Sequence, residues 1–358
     1  MKTVVNNRSL TAIKTAAYAA LAAKQHLVPF SIERRLPGPH DCLIDILYCG
    51  ICHTDIHMVR NEWGSSIFPM VPGHEIIGKV QQVGSDVHKW TIGDTVGVGC
   101  FIDSCRNCDP CREGEEQYCN KGMTLTYNSL EPDGKTPTYG GYSKQITVNE
   151  DYILRIPDEI ELSRAAPLLC AGITTYSPLQ RFNINPGDTI AVAGLGGLGH
   201  MAVKIAKAMG ADVTVLSRSP GKSNDALQLG ADDYLVTSSK DVFKNNAERF
   251  DFLLDTISAP HDYNAYLNLL RHDGTMILVG LPGPQPLSAA SLIMRRKRLV
   301  GSVIGGIWQT QEMLDFCADN SIAADVEVVP IQKVNEAFDR VVRSDVKYRF
   351  VIDMASLE

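Results

Sequence analysis

Thr189-Ile190-Ala191-Val192-Ala193-Gly194-Leu195-Gly196-Gly197-Leu198-Gly199 is the stretch whose reading decides the fold. Its first five residues have the apolar, β-branched character of a short buried strand. The glycines follow at once, and Met201, Val203, Ile205 and Met209 then recur at helical spacing up to Gly210. A second strand pattern, Asp212-Val213-Thr214-Val215-Leu216, comes next. A GxGxxG alone says little, but between a strand and a helix it has the setting of a dinucleotide-binding turn. Gly194 allows the tight turn, Gly196 lets the backbone approach a pyrophosphate, and Gly199 lets the helix pack on the strand. The helix N-terminus then faces the phosphates, with Leu195, Gly197 and Leu198 completing the turn.

At the end of the second strand an acidic residue would hold an adenosine ribose and repel a 2′-phosphate. Here the position reads Ser217-Arg218-Ser219, with Lys222 close behind. Two hydroxyls and two cations suit a dianionic group, so NADP is expected rather than NAD. The bland alternative is a polar turn of no consequence.

Downstream, strand patterns at 234–236, 252–256, 276–280 and 299–304 alternate with helical segments at 226–229 and 263–270. That rhythm predicts an α/β fold with a doubly wound parallel sheet. After Gly305-Gly306, helices near 310–319 and 331–343 precede a last strand at 348–353. Upstream, the first 150 residues read as β-rich and loop-rich, with strands at 43–48, 76–84, 94–99 and 142–148. A site in that region is expected to sit on turns.

Two groups of metal-binding residue types lie upstream of the helix that leads to the glycine turn. Cys105-x2-Cys108-x2-Cys111-x7-Cys119 is spaced for one closed tetrahedral zinc, although an iron–sulfur centre stays open on spacing alone. Cys52, His74 and the distant Cys170 offer the three sulfur and nitrogen donors of a catalytic zinc with one open position. Taken singly, each is equally well a buried thiol or a hydrogen-bonded turn histidine.

Length and charge exclude other classes. With 358 residues, roughly two domains are expected. A net charge of −7 gives no support for a nucleic-acid surface, and Arg295-Arg296-Lys297-Arg298 reads as a solvated cluster. No run approaches the roughly 18 apolar residues of a membrane span. Lys2, Arg8 and Lys14 before an alanine-rich stretch imitate an export signal, but the stretch is too weakly apolar for one. Thiols at metal spacing rather than disulfide spacing point to the cytoplasm, with residues 1 to about 10 a loose extension.

Gly50-Ile51-Cys52-His53-Thr54-Asp55-Ile56-His57, Pro72-Gly73-His74-Glu75, the four-cysteine loop, Leu168-Leu169-Cys170-Ala171-Gly172-Ile173-Thr174-Thr175-Tyr176 and the glycine turn occur in this order. In them the chain resembles the zinc-dependent medium-chain alcohol dehydrogenases, most closely the cinnamyl alcohol dehydrogenase group with its bacterial NADP-dependent aldehyde reductases. The likeness runs from about residue 11 through Lys347-Tyr348-Arg349-Phe350-Val351-Ile352-Asp353. It implies a GroES-like β-rich catalytic domain over 1–163 and a Rossmann NADP-binding domain over 164–303. Residues 304–358 would then return to the first domain.

The resemblance also assigns roles. Cys52, His74 and Cys170 match the catalytic zinc ligands, Glu75 an alternative ligand, and Asp55 the acid that orients the histidine. Thr54 and His57 match a proton relay. His53 and Arg349 match residues near the cofactor phosphates, while Thr174, Thr256, Val279, Gly280, Leu281 and Ser302 fall at nicotinamide-side positions. Trp63 would line the substrate pocket. Two zinc ions per chain, an alcohol or aldehyde substrate and a homodimer are implied, with turnover by alkoxide formation at zinc and hydride transfer. The rival readings are a zinc-free quinone or enone reductase of the same architecture, and a non-catalytic redox or metal sensor.

Overall fold

The computed structural model describes residues 12–358, so the expected extension over residues 1 to about 10 lies outside the described residues. Six parallel strands form one sheet in the order Asp233–Val236, Asp212–Ser217, Thr189–Ala193, Phe250–Asp255, Leu270–Leu278, Arg298–Gly301. Counted along the chain this is the doubly wound order 3-2-1-4-5-6, whose switch point lies between Thr189–Ala193 and Phe250–Asp255. Val192, Val213, Leu253 and Ile277 are fully buried, as expected of central strands covered on both faces.

The glycine turn leaves the sheet at that switch point. Gly194 takes φ +94°, and a Cβ on Gly199 would lie 2.0 Å from the Gly194 carbonyl oxygen. Only glycine lets helix Gly197–Ala208 start this close to the strand it follows.

The other main sheet has seven strands, running Val326–Pro330, Arg349–Asp353, Asp41–Ile51, Ile76–Val83, Thr95–Val98, Leu154–Arg155, with Gln145–Asn149 also paired to Asp41–Ile51. Strand Arg349–Asp353 is antiparallel to Asp41–Ile51 and parallel to Val326–Pro330. The C-terminal strand therefore joins the sheet built by the N-terminal strands. One hydrophobic core runs from Ile44 and Ile76 through Leu168 and Ile173 to Val192 and Ile205.

Three local expectations are corrected. Residues His53–Val59 are helical rather than a turn. Cys52, extended at φ −109°, precedes the helix, and Asp55 accepts a hydrogen bond from its N–H at 2.8 Å. That is the reach-back half of a capping box, hidden because cysteine replaces the usual serine or threonine. The edge strand stops at Gly301, since Ile304 takes a positive φ of +33°. The strand expected at 142–148 forms only over Gln145–Asn149.

Candidate metal and dinucleotide site

Three separated segments deliver the first donor set. Cys52 precedes helix His53–Val59, His74 and Glu75 lead into strand Ile76–Val83, and Cys170 precedes helix Ala171–Arg181. One ligand atom from each of Cys52, His74, Glu75 and Cys170 lies within 4.8 Å of all the others, and all four residues are buried. The two sulfurs are 3.9 Å apart. This is far beyond a disulfide bond of about 2.0 Å. It matches the edge of about 3.8 Å expected between two sulfurs each about 2.3 Å from one tetrahedral zinc. The donor set fits zinc.

Its protonation points the same way. The contact with Cys170 holds the Cys52 thiol well below its ordinary range despite burial, and His74 adds to the effect. Cys170 is pushed well above its own by contacts with Cys100 and Cys52 and by burial. Two thiolates this close would repel, a conflict that a bound dication relieves.

Asp55 organises the set from behind. It is fully buried; one carboxylate oxygen accepts from the Cys52 N–H at 2.8 Å and from the Tyr142 hydroxyl at 3.3 Å. The other accepts from the Gly73 N–H at 3.0 Å and stands 3.4 Å from Nδ1 of His74. At that separation the contact is electrostatic rather than a well-formed hydrogen bond. It still turns Nδ1 toward the acid and leaves Nε2 as the ligating nitrogen. The Tyr127 ring stacks on His74 at 5.7 Å. Neither tyrosine had any signal in the sequence, because both arrive from outside the motifs.

Glu75 connects this set to the cofactor side. Burial raises its carboxyl to about 7, against the pull of Arg349, with which it forms a buried ion pair. Its second oxygen has no hydrogen-bond partner among the described residues, and a Cβ on Gly50 would come within 1.9 Å of it. Arg349, 5% exposed, has an Nε without a partner among the described residues, and its Cδ would lie 2.7 Å from a Cβ on Gly197. An unpaired guanidinium N–H beside the glycine turn fits an anionic pyrophosphate.

The other residues that the resemblance singles out are placed as follows. Thr54 Oγ1 is 3.6 Å from Cys52 Sγ. On the same helix, His57 points Nδ1 at Glu62 and stacks at 5.0 Å on Trp63, which is 40% exposed. Glu62 is thus a relay candidate the sequence reading missed. His53 is exposed, its ring 6.0 Å from that of His57. Thr174 is buried in helix Ala171–Arg181.

On the dinucleotide side, Thr256 Oγ1 donates to the Ala193 carbonyl at 2.7 Å and closes the Gly194 turn from below. Lys222 Nζ donates to the Leu195 carbonyl at 3.0 Å. Ser217 Oγ accepts from the Ser219 N–H at 3.3 Å, and Arg218 and Ser219 are exposed beside them. Val279 and Gly280 both donate their N–H groups to the Asp255 carbonyl, while Leu281 is exposed. Ser302 N–H donates to the Leu278 carbonyl just past the edge strand.

The four-cysteine loop forms a separate lobe. The sulfurs of Cys105, Cys108, Cys111 and Cys119 all lie within 4.8 Å of one another. The N–H groups of Asn107 and Cys108 hold the Cys105 thiol at about 6, while burial pushes Cys111 up to about 12. Four sulfurs that cannot all ionise unaided again fit a closed zinc site.

His261 gives a pH prediction outside the metal sites. Its Nε2 lies 3.0 Å from Asp255 Oδ2 and its Nδ1 2.9 Å from the Ala259 carbonyl, so both nitrogens face acceptors and the ring is an imidazolium. Burial lowers its pKa, but Asp255 and the Ala259 carbonyl overcome this and raise it. A raised folded pKa contributes stability that is complete below the unfolded value and lost as pH climbs through the folded one. The gap in thermal midpoint between the native protein and His261→Gln is therefore expected to narrow as pH rises above the ordinary histidine value of about 6.5. A gap that widens contradicts the assignment.

Comparison with known proteins agrees with this geometry. Residues 38–158 match the alcohol dehydrogenase GroES-like domain, and residues 197–319 match the zinc-binding dehydrogenase domain. The chain belongs to the zinc-dependent medium-chain alcohol dehydrogenases. Within them it falls in the cinnamyl alcohol dehydrogenase group. It is 56% identical over 343 residues to NADP-dependent alcohol dehydrogenase C 1 of Mycolicibacterium smegmatis, covering 95% of this chain and 98% of that one. It is 51% identical over 349 residues to the aldehyde reductase YahK of Escherichia coli, with 96% and 99% covered. A cinnamyl alcohol dehydrogenase structure from Sorghum bicolor superposes with a TM-score of 0.94 at 45% identity, covering 97% and 99%. The Helicobacter pylori enzyme complexed with NADP(H) gives 0.91 at 42%, covering 97% and 100%.

Proposed function

We propose that this chain is an NADP-dependent oxidoreductase that interconverts primary alcohols and aldehydes, aromatic or aliphatic, at a zinc held by Cys52, His74 and Cys170. The observation that carries the reading is Arg349, which touches both the donor set, through Glu75, and the dinucleotide turn, at Gly197. A substrate oxygen at the sulfur–nitrogen set is then within one side chain of a bound nicotinamide dinucleotide. When bound, the zinc supplies a Lewis acid and the nicotinamide takes up or gives the hydride.

The chain's own residues handle the proton and the orientation. Asp55 keeps His74 in the ligating tautomer. Thr54 Oγ1 accepts the proton of the alcohol as its own passes to His57. With Nδ1 of His57 turned to Glu62, Nε2 is the nitrogen that receives it, and Glu62 at the rim delivers it to water. In aldehyde reduction the proton runs inward along the same groups. Trp63 closes the outer side of this path and offers an apolar face to the substrate chain. Glu75 is the reserve ligand.

The cytoplasm suits the chemistry, since all ten cysteines are free. No helix among the described residues is long and apolar enough to cross a membrane. The edge of strand Arg298–Gly301, which pairs with no further strand among the described residues and has Ile293 and Met294 exposed nearby, supports a homodimer built across that edge. The domain divisions near residues 163 and 303 belong to the same reading.

The test is a panel of initial rates with benzaldehyde, cinnamaldehyde and medium-chain aldehydes against NADPH and NADH, together with metal analysis. Two zinc ions per chain and a preference for NADPH are expected. A metal-free protein that reduces enones would instead support the zinc-free reductase. For Arg218→Ala, kcat/KM with NADPH should fall about 10- to 100-fold, the loss of one charge-assisted contact, while the value with NADH changes less than about 2-fold. An equal fall with both cofactors refutes the 2′-phosphate role.

A further inference from the structure

His200 lies one turn into the helix that follows the glycine turn and is fully buried. Burial pushes its imidazole down to about 3, so the ring is neutral at any working pH. Its Nδ1 is 3.3 Å from the Gly196 carbonyl oxygen, which also accepts the His200 backbone N–H at 3.0 Å. A carbonyl only accepts, so the ring proton sits on Nδ1. Nε2 has no hydrogen-bond partner among the described residues. The ring lies nearly flat on Tyr348, centroids 5.0 Å apart and planes at 14°.

Tyr348 immediately precedes Arg349, the residue between the dinucleotide turn and Glu75. A phenylalanine would fill the same space without burying an unpaired nitrogen, so packing alone does not account for an imidazole here. The contact with Gly196 does. A trans peptide points its C=O and the next N–H in opposite directions. Drawing the Gly196 carbonyl inward therefore turns the Gly197 N–H outward, toward where a pyrophosphate approaches the helix N-terminus.

We propose that His200 is a positioning residue for the cofactor. Its Nδ1–H adds a second hold to the backbone bond that orients the 196–197 peptide, and its ring seats Tyr348 so that Arg349 reaches the same phosphates from the other domain. Both halves of the phosphate site, the turn and the arginine, are thereby set by one side chain that touches neither cofactor nor substrate. The inference rests on the dinucleotide reading above.

Two variants separate the two contacts. His200→Phe keeps the stack and removes the N–H. His200→Asn keeps a donor near Gly196 and removes the stack. The NADPH dissociation constant, followed by nicotinamide fluorescence on the zinc-loaded protein, is expected to rise about 5- to 20-fold in each, as for loss of one modest contact. KM for NADPH should rise with it, while kcat at saturating cofactor stays within about 2-fold, since uniform binding alone is lost. Adding Tyr348→Leu to His200→Asn should cost little more, because the stack is already gone.

Unchanged NADPH affinity in both single variants, beside a native protein that binds, overturns the proposal. So does a lowered thermal midpoint without any change in the dissociation constant, which is what a packing role predicts. Failure of the native protein to bind NADPH would instead sink the functional reading and is seen in the same titration.

Discussion

Cys52→Ser is expected to lose at least about 1,000-fold in kcat/KM, to hold one zinc per chain instead of two, and to keep nearly its native thermal midpoint. The size follows from position. Altering groups that merely orient metal ligands costs about 10- to 100-fold in affinity or activity, and a ligand removed outright costs more. A serine hydroxyl at this pH brings no charge, so the remaining pair of donors faces a dication with half its neutralising charge missing. The fold tolerates the change because Asp55 still accepts from the residue-52 N–H and the helix start survives. Zinc by atomic absorption and aldehyde-dependent NADPH oxidation decide the matter. A variant with two zinc ions and native rates refutes the assignment.

Cys108→Ser should have the opposite signature: lost stability first and lost activity as its consequence. Binding free energies for structural zinc in small peptides are about 10–16 kcal/mol near neutral pH. Only the part that holds the lobe against the rest of the molecule counts here. A part worth about 3 kcal/mol lowers the thermal midpoint of a chain this long by about 4 °C. The lobe does not stand alone. Glu116 accepts from the Ile307 N–H at 3.2 Å, the Tyr118 hydroxyl lies 3.3 Å from the Val303 N–H, and Arg181 pairs with Glu115 at 2.7 Å. A Cβ on Gly306 would lie 1.8 Å from the Gly114 carbonyl oxygen. Loosening the lobe thus frees residues 303–307, the crossing from the cofactor sheet to helix Ile307–Asp319. Proteolysis near residues 105–119 at temperatures that spare the native protein is the direct check. A variant as resistant and as thermostable as the native chain contradicts the bracing role.

The dinucleotide half was legible because its signal is local: strand, glycines and helix adjoin in sequence, and the sheet order follows from the βα rhythm. The four cysteines were legible for the same reason. Cys52, His74 and Cys170 were readable as candidates, but their convergence depends on three capping and turn positions that no spacing encodes. Helix His53–Val59 was missed because a cysteine occupies the position before it, where serine or threonine usually announces a start. Tyr127, Tyr142 and Glu62 were missed because hydroxyls and carboxylates carry meaning only once a neighbour is known. His200 is singled out only by its burial and its two contacts, which no sequence pattern carries.

Strand Arg349–Asp353 lies between Val326–Pro330 and Asp41–Ile51 in the first sheet. On Asp41–Ile51 its partners are Tyr48–Ile51 alone, since Asp41–Asp45 already pair with Gln145–Asn149. On the ribosome, the Tyr48–Ile51 end must therefore wait, its N–H and C=O groups unmated on that side, until the whole nucleotide-binding unit has been made. A nascent chain stalled inside that unit presents a hydrophobic sheet margin to its neighbours, which is a template for clumping. Chaperone demand during synthesis should thus peak late and fall abruptly once residues 349–353 clear the exit tunnel.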